Sequence, residues 1–247
     1  MSRCPGVPGF RGSAKTGPRA PEGATGQTGV VPQPDEAMTR TAYDLVADVY
    51  ADRFTATEPE QPLDLAMIDH FVGLLPAPRR VLDAGCGAGR MLPYMAARGC
   101  RPEGVDLSPE MVRRARADHP GHPCTVGSLT DLAHRDALFD GVFSWYSTIH
   151  NPDADLDGML GEMVRVLRPG GFLLVAFQVG DEVRRVGQGF AASGYDVVLF
   201  RHHRRTADMT GRIAALGLEV VATSQRGPIG TEPDPQAVVI ARRPTTG

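Results

Sequence analysis

The chain has 247 residues, room for one large domain or two small ones, and at 42% hydrophobic and 22% charged it has the balance of an ordinary soluble globular protein. A formal net charge of −3 gives no general attraction to nucleic acid or acidic membrane surfaces, and no apolar run of about 18 residues predicts a membrane span. Cys4, Cys86, Cys100 and Cys124 form no C-x-x-C pair and have no histidine at ligand spacing. That pattern argues against a zinc site and a disulfide framework, and points to a reduced, cytoplasmic setting.

Residues 1–37 carry seven glycines and six prolines with almost no apolar periodicity, so they are expected to form a disordered N-terminal extension. They lack the apolar core of a signal peptide, and Met38 is a plausible true start. From Met38 onward the elements alternate. TAYDLVADVYADRF (41–54) and LDLAMIDHFVGLL (63–75) have apolar residues at helical spacing. Short apolar runs then precede helical patterns: RRVLDA (79–84) before GRMLPYMAARG, RPEGVDL (101–107) before SPEMVRRARADH, and FDGVFSWY (139–146) before DADLDGMLGEMVRVL. HPCTVGS (122–128) precedes a polar stretch, and GGFLLVAFQ (170–178) an irregular one. LEVVATSQ (218–225) and QAVVIARR (236–243) close the chain without a helix between them. Strands alternating with helices predict a doubly wound parallel sheet, and the final helix-free pair predicts one antiparallel strand within it.

The stretch VLDAGCGAG (81–89) places three glycines on alternate positions after a strand. Such a turn at the carboxyl end of a strand lets a ligand approach the backbone closely. The spacing is not the G-x-G-x-x-G of dinucleotide-binding folds, and Asp83 ahead of it suits an ammonium group better than a pyrophosphate. The second strand ends in Asp106, about 20 residues on, where a carboxylate can accept hydrogen bonds from ribose hydroxyls. Together they suit S-adenosylmethionine better than NAD.

The chain resembles the class I S-adenosylmethionine-dependent methyltransferases of the small-molecule type. VLDAGCGAG matches their first motif and GVDLSPEMV (104–112) their second-strand segment. GSLTDL (127–132), FDGVFSWYSTIHNPD (139–153) and VLRPGGFLLVA (166–176) follow in the family's order, and YDLVADVYADRF resembles its cap helix. The resemblance covers roughly 41–243. It implies a Rossmann-like, mostly parallel seven-stranded sheet with an antiparallel last strand, in a domain over 38–247 made of cap helices (41–75) and a core (79–247).

Roles implied by the resemblance follow residue by residue. Gly85 and Gly87, with Ala84, lie against the methionine portion, and Asp83 holds its amino group directly or through backbone and water. Asp106 binds the ribose, Leu107 and Met111 meet the adenine, and Ser128 and Leu129 bracket it. Ser144 and Trp145 face the methionine and sulfonium, while Tyr43 and Tyr50 close over the cofactor. Each has a structural competitor: a tied-down turn for Asp83, a helix-end charge for Asp106, plain packing for Trp145, Tyr43 and Tyr50. RHHRR (201–205) reads as a solvated turn more than an anion site, and Cys86 as a small buried filler.

Methyl transfer from a sulfonium asks for positioning, and a base only if the acceptor must lose a proton. His150, with an ordinary pKa near neutrality, is the first candidate base and Tyr146 the second; the alternative for His150 is holding its loop. No D/N-P-P-Y/F pattern follows the fourth strand, and no basic, aromatic-rich appendage is present for nucleic acid. The insert at roughly 179–205, with Phe190, Tyr195 and Phe200, is expected to roof a modest pocket for a small organic acceptor. Two other readings stay open: a cofactor-binding module without catalysis, and an NAD-dependent oxidoreductase.

Overall fold

The structure is a computed structural model, and it describes residues 35–245. The extension expected at 1–37 therefore lies mostly outside the described residues. Its last part is corrected: α1 runs Glu36–Arg53, because Asp35 caps it by accepting from the Met38 backbone N–H at 2.8 Å. A second helix, α2 (Pro62–Leu74), starts on a proline that suits a first helical position.

The sheet follows as β1 (Arg80–Ala84), β2 (Arg101–Asp106), β3 (Cys124–Val126), β4 (Phe139–Trp145) and β5 (Leu167–Gln178). Interleaved helices are α3 (Leu92–Ala96), α4 (Pro109–Asp118) and α5 (Asp153–Val166). α3 is much shorter than the helical pattern at 89–99 predicts, since Pro93 sets its start and Gly99, at φ +82°, stops the chain beyond it. Ser108 caps α4 by accepting from Met111 N at 3.1 Å.

After β5 comes a hairpin absent from the sequence reading: β6 (Val183–Val186) and β7 (Leu199–His202), joined through a 3-10 turn at Gln188–Ser193. Then follow α6 (Thr206–Ala215), β8 (Glu219–Arg226) and β9 (Gln236–Arg242).

The main sheet has seven strands in the order β3-β2-β1-β4-β5-β9-β8. All neighbours are parallel except β9, which is antiparallel to both β5 and β8. Alternating side chains build two cores, one per face. Leu82, Val142, Leu173, Val175 and Val239 pack under α5 and α6, whereas Val81, Phe143, Leu174 and Ile240 pack under α2, α3 and α4. The strand order reverses between β1 and β4, whose register pairs Asp83 with Phe143. The loops leaving these two strands diverge to opposite faces, which opens a crevice at their carboxyl ends.

Candidate active site

A cavity of about 590 Å³ fills that crevice. Its floor is the turn after β1. Gly85 holds φ +83°, and a methyl group there would sit 2.2 Å from the Ser147 Cβ, so the β1 and β4 loops touch only because this residue has no side chain. Gly87, at φ +54°, faces Tyr50. Asp106, at the tip of β2, binds the turn: its Oδ2 accepts from Gly87 N at 2.8 Å and its Oδ1 from Ser108 N at 2.9 Å. Burial raises its pKa, and the two N–H donors, Ser108 first, pull it back down. The carboxylate still lines the cavity.

Leu107, Met111 and Leu129 make an apolar wall beside Asp106. One face of α1 covers the opening: Glu36, Thr39, Tyr43, Tyr50 and Arg53 recur at three- to four-residue and seven-residue intervals and all reach the cavity. Tyr43 and Tyr50 stand edge to face, with centroids 6.0 Å apart. The β6–β7 hairpin forms the remaining roof through Val186, Phe190 and Leu199, and packs on α1 at Ala42 and Val46.

Trp145 lines the cavity at the end of β4. It stacks on Phe143 at 5.5 Å, and its indole N–H donates to Glu60 Oε1 at 3.0 Å. Glu60 also receives a two-pronged bond from Arg90, at 2.6 and 2.7 Å. This Glu60–Arg90–Trp145 set joins the segment before α2, the glycine turn and β4. Periodicity carries no signal for it, since Glu60 and Trp145 are 85 residues apart.

Geometry places several residues with predicted roles off the cavity wall. Ala84 is fully buried inside the sheet and Asp83 is 2% exposed behind the cavity wall. Burial pushes the Asp83 carboxyl well above its usual pKa. The other influences are through-space charges, from Cys124, Arg90 and Asp106, with no hydrogen-bond donor among them. Ser144 points inward to Ser147, Oγ to Oγ at 2.7 Å. Ser128 is also off the cavity wall, because its hydroxyl donates to Glu36 Oε1 at 2.5 Å. RHHRR is not a solvated turn. His202, His203 and Arg204 are buried, and Arg204 donates to the carbonyls of Thr148 and Asn151 and to Asp153. Cys86 does act as filler: a methyl on Gly104 would meet its Sγ at 2.6 Å.

The two candidate bases also change. His150 lines the cavity, but its Nδ1 lies 2.8 Å from the Phe200 carbonyl and its Nε2 2.9 Å from the Tyr43 hydroxyl. A carbonyl only accepts, so Nδ1 carries the proton and Nε2 accepts from Tyr43. Burial drives the His150 pKa down to about 4, partly opposed by the bond to Phe200. It is a neutral ring near pH 7 with both nitrogens hydrogen-bonded. Tyr146 also lines the cavity, and burial raises its phenol pKa.

Comparisons with known proteins bear on the family and the fold. Residues 81–171 match a family profile described as a methyltransferase domain. A malonyl-(acyl-carrier protein) O-methyltransferase of Salmonella typhimurium is 38% identical over 97 residues, 39% of this chain and 37% of the relative. A 24-methylenesterol C-methyltransferase 2 of Oryza sativa is 33% identical over 160 residues, 58% of this chain and 43% of the relative. The chain thus spans less than half the length of these relatives. Among solved structures, the 1,6-didemethyltoxoflavin-N1-methyltransferase of Burkholderia thailandensis, bound to 1,6-didemethyltoxoflavin and S-adenosylhomocysteine, superposes with a TM-score of 0.65 at 22% identity, covering 84% of this chain and 88% of that one. The (4+2)-cyclase SpnF superposes at 0.62 with 17% identity, covering 87% and 99%. Both likenesses are of fold.

Proposed function

We propose, from the premise that residues 81–171 are a class I S-adenosylmethionine-dependent methyltransferase domain, that the whole chain transfers a methyl group to oxygen or nitrogen of a small organic acceptor. The observation that carries this reading is the pairing of a bare turn at Gly85 and Gly87 with the Asp106 carboxylate in one cavity. The residues fit the cofactor. Asp106 offers its carboxylate to the ribose hydroxyls, with Leu107, Met111 and Leu129 against the adenine. Gly85 and Gly87 leave room for the methionine portion. Asp83, a buried carboxyl with no donor, gains its missing cation from the amino group through the turn.

When bound, S-adenosylmethionine supplies a methyl group already activated on a sulfonium. The remaining work falls to this chain. Tyr43 and Tyr50 on α1 and Phe190 on the roof exclude water and confine the acceptor. The Glu60–Arg90–Trp145 set fixes the wall against which the acceptor rests. His150 holds the Tyr43 hydroxyl and the Phe200 carbonyl in place, and so positions lid and roof rather than removing a proton. A cavity of modest size favours a small molecule over nucleic acid. Among the described residues no helix is long and apolar enough to cross a membrane.

The test is calorimetry of the full chain with S-adenosylhomocysteine and NAD side by side, followed by transfer of labelled methyl to a panel of small hydroxyl, carboxyl and amine compounds. Selective binding of S-adenosylhomocysteine with label transfer is expected. Binding of NAD in preference would overturn the reading. Cofactor binding with no transfer to any compound favours a non-transferring role of this fold, of the kind the cyclase neighbour's name raises.

A further inference from the structure

We infer that Arg201 is the specificity-determining residue of the acceptor half of the cavity, and that the acceptor it selects carries a carboxylate. This rests on the function proposed above. Cofactor residues account for the β1, β2 and α4 side of the cavity. The opposite side is built from the loop after β4 and from the hairpin, and there a guanidinium reaches the wall.

Arg201 lies on β7 and is about one-fifth exposed. Its Nη1 donates to Asp234 Oδ2 at 2.7 Å. Asp234 is shared: Arg184 Nη1 lies 2.6 Å from its Oδ1 and His203 Nε2 3.2 Å. Arg184 also pairs with Glu182 on the outer surface. Asp234 thus has cations enough without the whole of Arg201, and it does not line the cavity. Arg201 still lines the cavity, so the part of its guanidinium that Asp234 does not hold is left to whatever fills the space.

Position agrees with the charge. Arg201 follows Phe200, whose carbonyl lies 2.8 Å from His150 Nδ1, and the Tyr43 hydroxyl lies 2.9 Å from His150 Nε2, so this end of the cavity is polar. Arg53, at the far end of α1, lines the cavity as a second cation and has no ion pair among the described residues. The wall's carboxylates, Asp106 and Glu36, belong to the nucleoside side, on β2 and at the start of α1. The cavity is therefore polarised, acidic toward the ribose and basic toward the acceptor. A guanidinium suits a carboxylate, to which it donates charge-assisted hydrogen bonds.

The chemistry is consistent. Neither His150 nor Tyr146 is set to take a proton near pH 7, so an acceptor that arrives ionised needs neither. If the methyl goes to the carboxylate itself, an oxygen lone pair forms the O–CH3 bond as the S–CH3 bond breaks. The sulfur keeps the bonding pair as a neutral thioether, the product is a neutral ester, and no proton moves.

The experiment screens matched small carboxylic acids and their primary amides against the full chain by ligand-observed NMR, with and without S-adenosylhomocysteine. Wild type should favour acids by about tenfold or more, the size of one charge-assisted contact. Arg201→Gln should lose that preference, while binding S-adenosylhomocysteine within about twofold of wild type, since the side-chain hydrogen bond of Arg201 goes to Asp234 and not to a residue assigned to the cofactor. Arg201→Lys should restore part of it. Equal hits from both sets, no acid hits, or an unchanged preference in Arg201→Gln would each overturn the inference. Failure of wild type to bind S-adenosylhomocysteine would instead overturn the proposed function, and the acid-over-amide comparison without cofactor would still decide the role of Arg201.

Discussion

Acidification should expose His150 as a conditional element of stability. The ring is buried, donates from Nδ1 to Phe200 and accepts at Nε2 from Tyr43, and burial lowers its pKa to about 4. In the unfolded chain it titrates near 6.5. The unfolded state therefore binds the proton first as pH falls, and stability drops between about pH 6.5 and 4. At about 1.36 kcal/mol for each tenfold difference in proton affinity, a gap of roughly 2.5 in pKa amounts to about 3 kcal/mol. That is a large share of a typical domain's 5–15 kcal/mol. His119 and His202 are lowered too and add to the same slope, so the total alone is not diagnostic. The diagnostic quantity is a difference. Gln at position 150 can donate to the Phe200 carbonyl and accept from Tyr43 but does not titrate. Urea unfolding of wild type and His150→Gln, run from pH 7.5 to 4, should show the wild type losing about 3 kcal/mol more than the variant. Parallel curves would refute the assignment of a neutral, buried ring, and would return His150 to the role of a base near pH 7.

Three further outcomes are expected. Asp106→Ala removes the acceptor of two backbone N–H groups and of the ribose hydroxyls; at about 1.5–3 kcal/mol per charge-assisted bond, calorimetry should show affinity for S-adenosylhomocysteine falling by roughly 10²-fold or more. Gly85→Ala forces a methyl into Ser147 at an unfavourable φ and should cost about 2–4 kcal/mol in thermal or urea unfolding, whereas Gly158→Ala, in the open middle of α5, should gain about 0.5–1 kcal/mol. α1 is held by small buried alanines, by Val46 and by screened surface pairs such as Arg113–Asp48, so its amides should exchange quickly in the free protein and slow markedly with S-adenosylhomocysteine, while β1 stays protected in both; equal protection of α1 in both states would make it a fixed structural helix.

Much of this protein is readable from local sequence. Short apolar runs marked the strands, and the structure sends their alternate side chains to two separate cores. The helix-free link between the last two strands implied the antiparallel β9. A glycine turn after one strand and an acid ending the next were enough to place Gly85, Gly87 and Asp106 together, because in this sheet adjacent strand tips are adjacent in space. The short tract β6–β7 was less legible, since four-residue strands with exposed arginines carry little apolar pattern.

What tertiary structure alone decided are the properties that depend on partners far away in the chain. His150 looks like a base in sequence; it is neutral because burial disfavours its charged form, even though the Phe200 carbonyl takes Nδ1, and Tyr43, 107 residues earlier, occupies Nε2. Ser128 and Ser144 look like ligands for a cofactor, but Glu36 and Ser147 claim their hydroxyls first. RHHRR looks like surface because charge density suggests water, yet the carbonyls of Thr148 and Asn151 and the Asp153 carboxylate solvate Arg204 in water's place. Periodicity encodes which face of an element is apolar, because burial acts on every turn or pleat alike. It does not encode which polar group meets which, because hydrogen bonds are pairwise and directional and their partners are chosen only when the chain closes on itself.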